Sequence, residues 1–196
     1  MRKRIMLPKL LFLPLFALAM VSHHVYQDRG LVDLSLELTG VVLLVACAMG
    51  RVWTAAYISG KKNKELVTGG PYSLVRNPLY FFSLLGFIGA GLAFESITFA
   101  ALLSALFFVT HWPTILQEER TLRAAFGEQY DAYATSVPRL IPRSWKFRSP
   151  DFVQFKSSIY SRAVLDSALV LSAFLLAHTV EWGQVNEVLP VLVHLP

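Results

Sequence analysis

The sequence predicts an all-α, polytopic membrane protein, and three observations lead to that class. First, 55% of the 196 residues are hydrophobic and only 16% are charged, which is more apolar than a soluble domain of this length needs. Second, the apolar residues are grouped in blocks, most of which approach the roughly 20 residues that cross a bilayer as a helix. Third, basic residues cluster in some of the links between blocks. We therefore expect about five transmembrane helices in one membrane domain, residues 1–196.

Five blocks nearly free of charge define the predicted spans. The third block is short, about 24 Å as a helix, and Pro78 suits its first turn because proline has no N–H to leave unpaired. Glu95 and Ser96 leave room only for a tight antiparallel hairpin into the fourth block. The blocks are residues 5–22, 31–57, 79–94, 97–116 and 163–180.

The fourth span is expected to continue past Trp112 and Pro113 as an amphipathic helix with the sequence ILQEERTLRAAFGEQYDAYA. Apolar residues recur in it at helical intervals, so it should lie against the bilayer or the bundle. Pro138 and Pro142 end it, since proline stops regular structure. A basic connector, residues 143–162, leads to the additional C-terminal span, and the core region is residues 58–143.

The basic residues predict the topology. Outside the spans, they precede the first span, follow the second or follow the fourth. Arg29 is then the only basic residue in a link on the opposite side of the membrane. This is the positive-inside pattern. It predicts a protein of the inner (plasma) membrane whose N-terminus and whose links after the second and fourth spans are cytoplasmic. Its charge is expected to attract anionic lipid rather than nucleic acid.

Two further observations concern the N-terminus and the single cysteine. MRKR followed by an apolar run and Ala17-Leu18-Ala19 resembles a signal peptide, whose cleavage would remove residues 1–19 and leave four spans. Cys47 is alone, so no disulfide or cysteine-based metal site forms within one chain. We expect no metal site, and the sequence leaves the oligomeric state open.

The junction before the third span has more polar groups than a membrane anchor requires. Gly69-Gly70-Pro71 predicts an irregular backbone with exposed amides, and Tyr72 and Arg76 follow it. The partly positive N-terminus of the next helix is suited to hold a carboxylate. The alternative is a capped helix with interfacial tyrosine and arginine anchors.

Two other places carry unusual residues. Glu118 and Glu119 follow the fourth span, and His111 lies seven residues before Glu118, on the same helical face. The carboxylates either balance Arg120 and Arg123 or bind an ammonium group or ribose hydroxyls. Glycines in the third span predict close helix packing or, alternatively, room for a flat ligand: Gly86, Gly89 and Gly91.

Two sequence blocks together carry a family resemblance. LVTGGPYSLVRNPLY, followed by EERTLRAAFGEQYDAYATSVPRLIPR, resembles the isoprenylcysteine carboxyl methyltransferase family, whose wider group includes membrane phospholipid methyltransferases. The resemblance covers residues 64–143 and implies a membrane enzyme that uses S-adenosyl-L-methionine, held in a cytoplasmic-side pocket. The cofactor contacts that it implies fall on Lys64, Glu65, Leu66, Val67, Tyr72, Asn77, Pro78, Leu79, Tyr80 and Glu118.

The sequence departs from the family pattern at two positions. Asn77 replaces the histidine of the usual RHPxY motif, and Thr114 replaces a substrate-binding arginine of the eukaryotic prenylcysteine enzymes. Thr114 and His111 are the candidate substrate-binding residues. Arg76 is the candidate catalytic residue, orienting an anionic group of the acceptor.

The acceptor and the functional class both stay open at this point. A lipid-like or amphiphilic methyl acceptor is the main hypothesis, with phospholipid N-methylation or small-thiol S-methylation as alternatives. A non-catalytic membrane assembly or sensing subunit is the alternative of another class. Methyl transfer from a sulfonium needs alignment and water exclusion more than acid–base chemistry, so the lack of a catalytic dyad fits an enzyme.

Overall fold

The fold is helical, as the sequence predicts. The structure is a computed structural model that describes residues 14–15, 17–24, 30–61, 64–143 and 146–196. Its helices are α1 (Leu31–Ile58), α2 (Pro78–Leu92), α3 (Ile97–Phe126), α4 (Glu128–Ser136) and α5 (Ser157–Val185). A 3₁₀ helix (Gly70–Ser73) and two short strands, β1 (Ser22–His24) and β2 (Val193–Leu195), complete the elements.

Three helices are long and apolar enough to cross a membrane: α1, α3 and α5, with 28, 30 and 29 residues. The third predicted span corresponds to α2, a shorter apolar helix of 15 residues that begins at Pro78. The first predicted span, residues 5–22, lies mostly outside the described residues, and its described residues 14–15 and 17–21 are helical. The chain is therefore a polytopic integral membrane protein with at least three long spans, and the count of five stays a prediction.

The exposed side chains of α1 indicate whether lipid or water surrounds this helix. Only 28% of its most apolar 18-residue stretch is buried, although the helix is strongly hydrophobic. A helix that exposes large apolar side chains along its length needs a lipid environment. These exposed side chains recur every three or four positions: Leu31, Leu34, Leu38, Val42, Val45 and Met49.

Two local features differ from the sequence prediction. The amphipathic extension of the fourth span is not one helix, because α3 ends at Phe126 and α4 starts at Glu128. Gly127 between them has φ +49°, a left-handed conformation that glycine adopts without steric cost. The sequence favours an interfacial loop for the adjacent His23 and His24, because neighbouring residues on a helix point about 100° apart. In the structure both belong to β1, which pairs in parallel with β2.

The residues cluster into two compact units. The first contains the described residues of Met1–Ala46, Leu84–Thr110 and Leu169–Pro196, and the second contains those of Cys47–Ser83 and His111–Ala168. The prediction of a single membrane domain stays a prediction. All residues of the candidate site that the sequence indicates fall in the second unit.

The first unit is held together by close backbone approach between α1 and α2. A Cβ atom added to Gly89 would lie 2.9 Å from both the Gly40 carbonyl oxygen and Leu43 Cβ. Gly40 has the reciprocal contact, 2.7 Å from the Ala93 nitrogen. The small-residue packing predicted for Gly89 is therefore observed, as is typical of membrane helices.

Gly89→Leu is expected to destabilise the first unit, because the new side chain would force α1 away from α2. Overpacking of this kind costs about 1–3 kcal/mol, or roughly 2–12 °C in melting temperature for a chain of this size. Thermal unfolding in detergent measures the effect. Ala101→Leu, at an exposed position of α3, is the control, and an equal shift for both variants would contradict the packing argument.

An acidic cluster surrounds the α2–α3 turn of the first unit. Burial, followed by the charge of Glu181 and contact with Asp33, raises the pKa of Glu95 to about 9. Glu95 is only 4% exposed. His178 bridges two other acids, with Nε2 at 3.1 Å from Glu37 and Nδ1 at 3.0 Å from Glu181. Because its pKa lies above 7, Glu95 is protonated at neutral pH in the folded protein.

The stability of the wild type is expected to fall as the pH rises from about 4.5 to 9. Across this interval the folded protein keeps the Glu95 proton and the unfolded chain releases it, so the unfolded state gains relative stability. Glu95→Gln should flatten this dependence and melt above the wild type at pH 8. Melting curves from pH 5 to 8 test this, with exposed Glu128→Gln as the control. A wild-type curve with no slope would contradict it.

Candidate active site

The glycine pair before α2 shapes the backbone of the site. Gly70 has φ +61°, and a Cβ atom there would collide with the Tyr57 ring. Its N–H donates to the Arg148 carbonyl oxygen at 2.7 Å. Ser73 donates to the Gly70 carbonyl and accepts a hydrogen bond from the Arg148 N–H at 3.1 Å. The connector after α4 is thus fixed to the 3₁₀ helix by one main-chain hydrogen bond and one to the Ser73 hydroxyl.

Asn77 ties the start of α2 to the segment that follows α4. Its backbone N–H donates to the Arg139 carbonyl oxygen at 3.2 Å, and the neighbouring Arg76 N–H donates to that of Pro138 at 2.8 Å. The Asn77 amide also donates to the Arg139 carbonyl at 3.1 Å and to Glu119 Oε1 at 2.9 Å. This residue therefore has a clear structural task in addition to its place beside the cavity described below.

Glu119 is the centre of a buried polar network. The residue is only 7% exposed, and its carboxylate accepts hydrogen bonds from Asn77 and from Arg139 Nε at 3.0 Å. Arg76 Nη1 lies 3.6 Å and Arg139 Nη2 3.0 Å from Glu119 Oε2. One carboxylate thus meets two guanidinium groups, which leaves a net positive charge on the cluster.

A cavity of about 250 Å³ lies beside this network. Its polar walls are Tyr72, Tyr80, Glu65 and Glu118, and Arg76 and Asn77 also reach it. The remaining lining combines apolar side chains with the first turn of α2: Ile58, Leu66, Val67, Pro78, Leu79, Leu122 and Tyr133. An acidic group between aromatic rings in an apolar pocket is suited to an organic cation.

The tyrosines of this cavity are held in the neutral form. Burial and the Glu118 charge raise the pKa of Tyr72 well above its ordinary value. Burial and Tyr72 raise the pKa of Tyr133 in the same direction. Tyr133 donates its hydroxyl to the Tyr72 carbonyl oxygen at 2.7 Å. These side chains supply ring faces and neutral hydroxyls, and they do not act as bases at neutral pH.

Tyr133 also lines a second, larger cavity of about 650 Å³. Its walls include Ser73, Ser136, Lys146 and Arg148, and no acidic residue is among its described lining residues. This environment favours an anion, whereas the smaller cavity with Glu118 favours a cation. The charged lining residues therefore predict different ligand groups for the two cavities.

The structure brings most of the sequence-predicted site residues together and leaves three outside. Lys64 and Thr114 are exposed, and neither they nor His111 line the smaller cavity. The His111 ring packs edge-to-face on Tyr80, with 5.9 Å between ring centroids. His111 therefore supports a cavity wall from behind.

Sequence reasoning missed the central role of Glu119, and it also missed Arg139 and Tyr133. In the sequence Glu118 and Glu119 form one acidic pair, and no sequence feature separates the two. A usable signal for Tyr133 was its helical spacing with Tyr130, since both are buried. Arg139 lies between two prolines, where only the fold shows that it meets Glu119 and stacks over Trp112 at 5.5 Å.

Comparison with known proteins identifies the family of the chain. Residues 35–129 match the model of the phospholipid methyltransferase family. The chain is 35% identical over 179 residues to the nickel-cobalt-cadmium resistance protein NccN of Alcaligenes xylosoxydans xylosoxydans, covering 91% of this chain and 84% of that one. The chain belongs to the phospholipid and isoprenylcysteine methyltransferase group.

Two relatives from this group are themselves named as methyltransferases. Methanethiol S-methyltransferase 2 of Bradyrhizobium diazoefficiens is 41% identical over 81 residues, or 41% of this chain and 30% of the relative. Protein-S-isoprenylcysteine O-methyltransferase of Schizosaccharomyces pombe is 31% identical over 87 residues, or 43% of this chain and 37% of the relative. No solved structure matches the chain. Membership in the group indicates a methyltransferase.

Proposed function

We propose that this protein is an S-adenosyl-L-methionine-dependent methyltransferase acting on a lipid-like or amphiphilic acceptor. The observation that carries the proposal is the convergence of Glu118, Tyr72 and Tyr80 on one cavity. These residues come from two separate sequence blocks, and a plain membrane anchor needs none of them at one place.

The residues of the smaller cavity fit the proposed cofactor. Its sulfonium and ammonium groups are cations, and Glu118 with the faces of Tyr72 and Tyr80 would hold them. The start of α2 at Pro78 offers a partly positive helix terminus for the carboxylate. When bound, this cofactor supplies an activated methyl group. The volume of about 250 Å³ is just below the range of about 300–1,000 Å³ typical of ligand pockets, so only the reacting end of an acceptor would share it.

The protein's own contribution is alignment and exclusion of water. The neutral tyrosines and the apolar side chains of Leu66, Val67 and Leu122 keep the cavity dry without offering a competing nucleophile. Arg76 belongs to the positively charged Glu119 network and also lines the cavity. Its guanidinium would orient an anionic group of the acceptor. No general base is required, because a thiolate or carboxylate attacks directly and an amine needs only to arrive unprotonated.

A comparison of transfer rates to different methyl acceptors tests this function. We expect purified protein to transfer labelled methyl groups to an amphiphilic amine or thiol faster than to farnesylcysteine, because Thr114 supplies no cation for the prenylcysteine carboxylate. Initial rates on phosphatidylethanolamine, a simple thiol and farnesylcysteine measure the preference, and Thr114→Arg should raise the farnesylcysteine rate. Wild type that binds no S-adenosyl-L-methionine would overturn the function. Wild type that prefers farnesylcysteine would overturn the role of Thr114.

A second candidate role follows from the extensive similarity to a metal resistance protein. We propose that methyl transfer by this chain contributes to tolerance of metal ions through a modified membrane component. A deletion strain complemented with wild type or with Glu118→Gln, and grown in nickel, cobalt or cadmium, tests this role. Equal growth of both complemented strains would separate any resistance function from catalysis.

The proposed site faces the cytoplasm of the inner membrane, according to the distribution of basic residues in the sequence. External labelling of a cysteine placed at Ser149, in a Cys47→Ala background, should fail in intact cells. Efficient labelling would reverse the proposed orientation.

A further inference from the structure

The larger cavity has no task in the proposed methyl transfer. Its volume of about 650 Å³ lies within the range of about 300–1,000 Å³ typical of ligand pockets, and its lining residues all belong to the second unit. Lys146 and Arg148 are the charged residues of its described lining. Asp151, the acid nearest to them in the sequence, is exposed and is not part of that lining. The described wall thus offers two cations and no carboxylate.

The main chain of Arg148 is held on both sides, which fixes the base of its side chain at the cavity wall. Its carbonyl oxygen accepts a hydrogen bond from the Gly70 N–H at 2.7 Å, and its own N–H donates to Ser73 Oγ at 3.1 Å. Pro150 packs on Gly69, where an added Cβ atom would lie 3.1 Å from Pro150 Cδ. Because this backbone is ordered before a ligand arrives, binding costs less ordering entropy.

The cavity lies beside the end of a membrane helix. Ser149 lines the cavity, and its Oγ lies 2.7 Å from the Tyr57 hydroxyl. The Phe147 ring packs on Trp53, with 5.8 Å between ring centroids. Trp53 and Tyr57 belong to the last turns of α1, which ends at Ile58. Since tryptophan and tyrosine concentrate at the membrane–water interface, the cavity lies at the depth of the lipid headgroups.

The connector after α4 also exposes aromatic rings next to its cations. Phe147, Phe152 and Phe155 are 51%, 89% and 49% exposed. The connector returns to the end of α1, where the Lys156 N–H donates to Ser59 Oγ at 3.0 Å. Exposed rings beside basic residues are typical of segments that lie in the interface of an anionic membrane. A cavity for a water-soluble phosphate needs no such rings, so they favour a lipid as the source of the anion.

We propose that the larger cavity binds the headgroup phosphodiester of an anionic phospholipid that has no amine. Lys146 and Arg148 hold the phosphate oxygens through charge-assisted hydrogen bonds, and the acyl chains continue beside the exposed rings into the bilayer. A zwitterionic headgroup would bring its ammonium group to two cations without a carboxylate in the described wall. The cavity therefore discriminates against amine-bearing lipids, and its ligand is not a methyl acceptor. This binding goes beyond the proposed methyl transfer and does not depend on it.

Calorimetry in neutral detergent micelles tests the site with three probes. These are dioctanoyl phosphatidylglycerol, dioctanoyl phosphatidylcholine with the same chains and a cationic headgroup, and glycerophosphoglycerol, which is the anionic headgroup without chains. Wild type is expected to bind phosphatidylglycerol at least tenfold more tightly than either other probe, at about 1 kcal/mol for each cation near the lipid surface. The double substitution Lys146→Gln and Arg148→Gln should weaken phosphatidylglycerol binding roughly thirtyfold and leave phosphatidylcholine binding unchanged.

Two further double variants are the controls. Lys146→Arg with Arg148→Lys keeps both charges and should keep most of the affinity. Arg120→Gln with Arg162→Gln removes two exposed cations outside the cavity, so it changes the net charge equally and should keep the affinity for phosphatidylglycerol. If the Lys146 and Arg148 double variant does not melt like the wild type, Lys146→Gln alone should still weaken binding roughly fivefold.

The opposite results overturn the proposal. Equal wild-type affinities for the two lipids, no loss in the Lys146 variants, or equal losses in the two charge-removing double variants would each do so. Glycerophosphoglycerol that binds as tightly as phosphatidylglycerol would overturn the lipid source. Competition by saturating S-adenosyl-L-methionine would place the lipid in the smaller cavity instead. A wild type that binds no cofactor but prefers phosphatidylglycerol would refute the methyltransferase function and support the lipid site.

Discussion

Glu119→Ala is expected to lower the free energy of unfolding by about 3–5 kcal/mol, the largest effect of any single substitution at the site. Removal of this carboxylate leaves the Arg76 guanidinium with its side chain only 13% exposed, and Arg76 Nε already lacks an acceptor among the described residues. It also removes one of the two acceptors of the Asn77 amide, Glu119 Oε1 at 2.9 Å. For a chain of this size the loss corresponds to a fall in melting temperature of roughly 6–20 °C.

The matched control for this substitution is another arginine–carboxylate pair in the same unit. Arg123 Nε lies 2.6 Å from Asp131 Oδ1, and both side chains are more than half exposed. An exposed pair of this kind is worth about 0–1 kcal/mol, so Asp131→Asn should change the melting temperature little. Equal shifts for Glu119→Ala and Asp131→Asn would refute the central role of Glu119. Glu119→Gln should fall between them, because it keeps the shape and one acceptor.

Glu118→Gln is expected to weaken S-adenosyl-L-methionine binding roughly ten- to a hundredfold, because a lost charge-assisted contact is worth about 1.5–3 kcal/mol. The melting temperature without ligand should stay close to that of the wild type, since Glu118 borders the cavity rather than the Glu119 network. Calorimetry in detergent measures the affinity. Glu128→Gln, at an exposed position, should leave affinity unchanged.

Tyr72 variants test the other half of the cofactor hypothesis. Tyr72→Phe keeps the ring face and removes only the neutral hydroxyl, so it should bind the cofactor nearly as wild type does. Tyr72→Ala removes the ring and should weaken binding by about thirtyfold, which corresponds to the roughly 2 kcal/mol of a desolvated cation–π contact. Equal affinities for Phe and Ala variants would show that the ring face holds no cation. Full affinity in Glu118→Gln would place the cofactor outside the smaller cavity.

The sequence alone was sufficient for the membrane class and for the ends of several helices. Apolar blocks of near-bilayer length predict spans whatever the helices pack against, and Pro78 and the Glu95-Ser96 hairpin act locally. α1 was predicted over 31–57 and observed as Leu31–Ile58. The family blocks placed Tyr72, Tyr80 and Glu118 at one site, and the structure puts all three on one cavity.

Only the tertiary structure separated Glu118 from Glu119. Neighbouring residues on a helix point about 100° apart, so one carboxylate borders the cavity and the other is buried between Arg76 and Arg139. Their partners come from segments distant in sequence, as do those of β1 and β2. Local patterns set which segments become helices, because spacing and turn residues act within a few positions. The task of each charged side chain depends on which distant groups the packed chain places beside it.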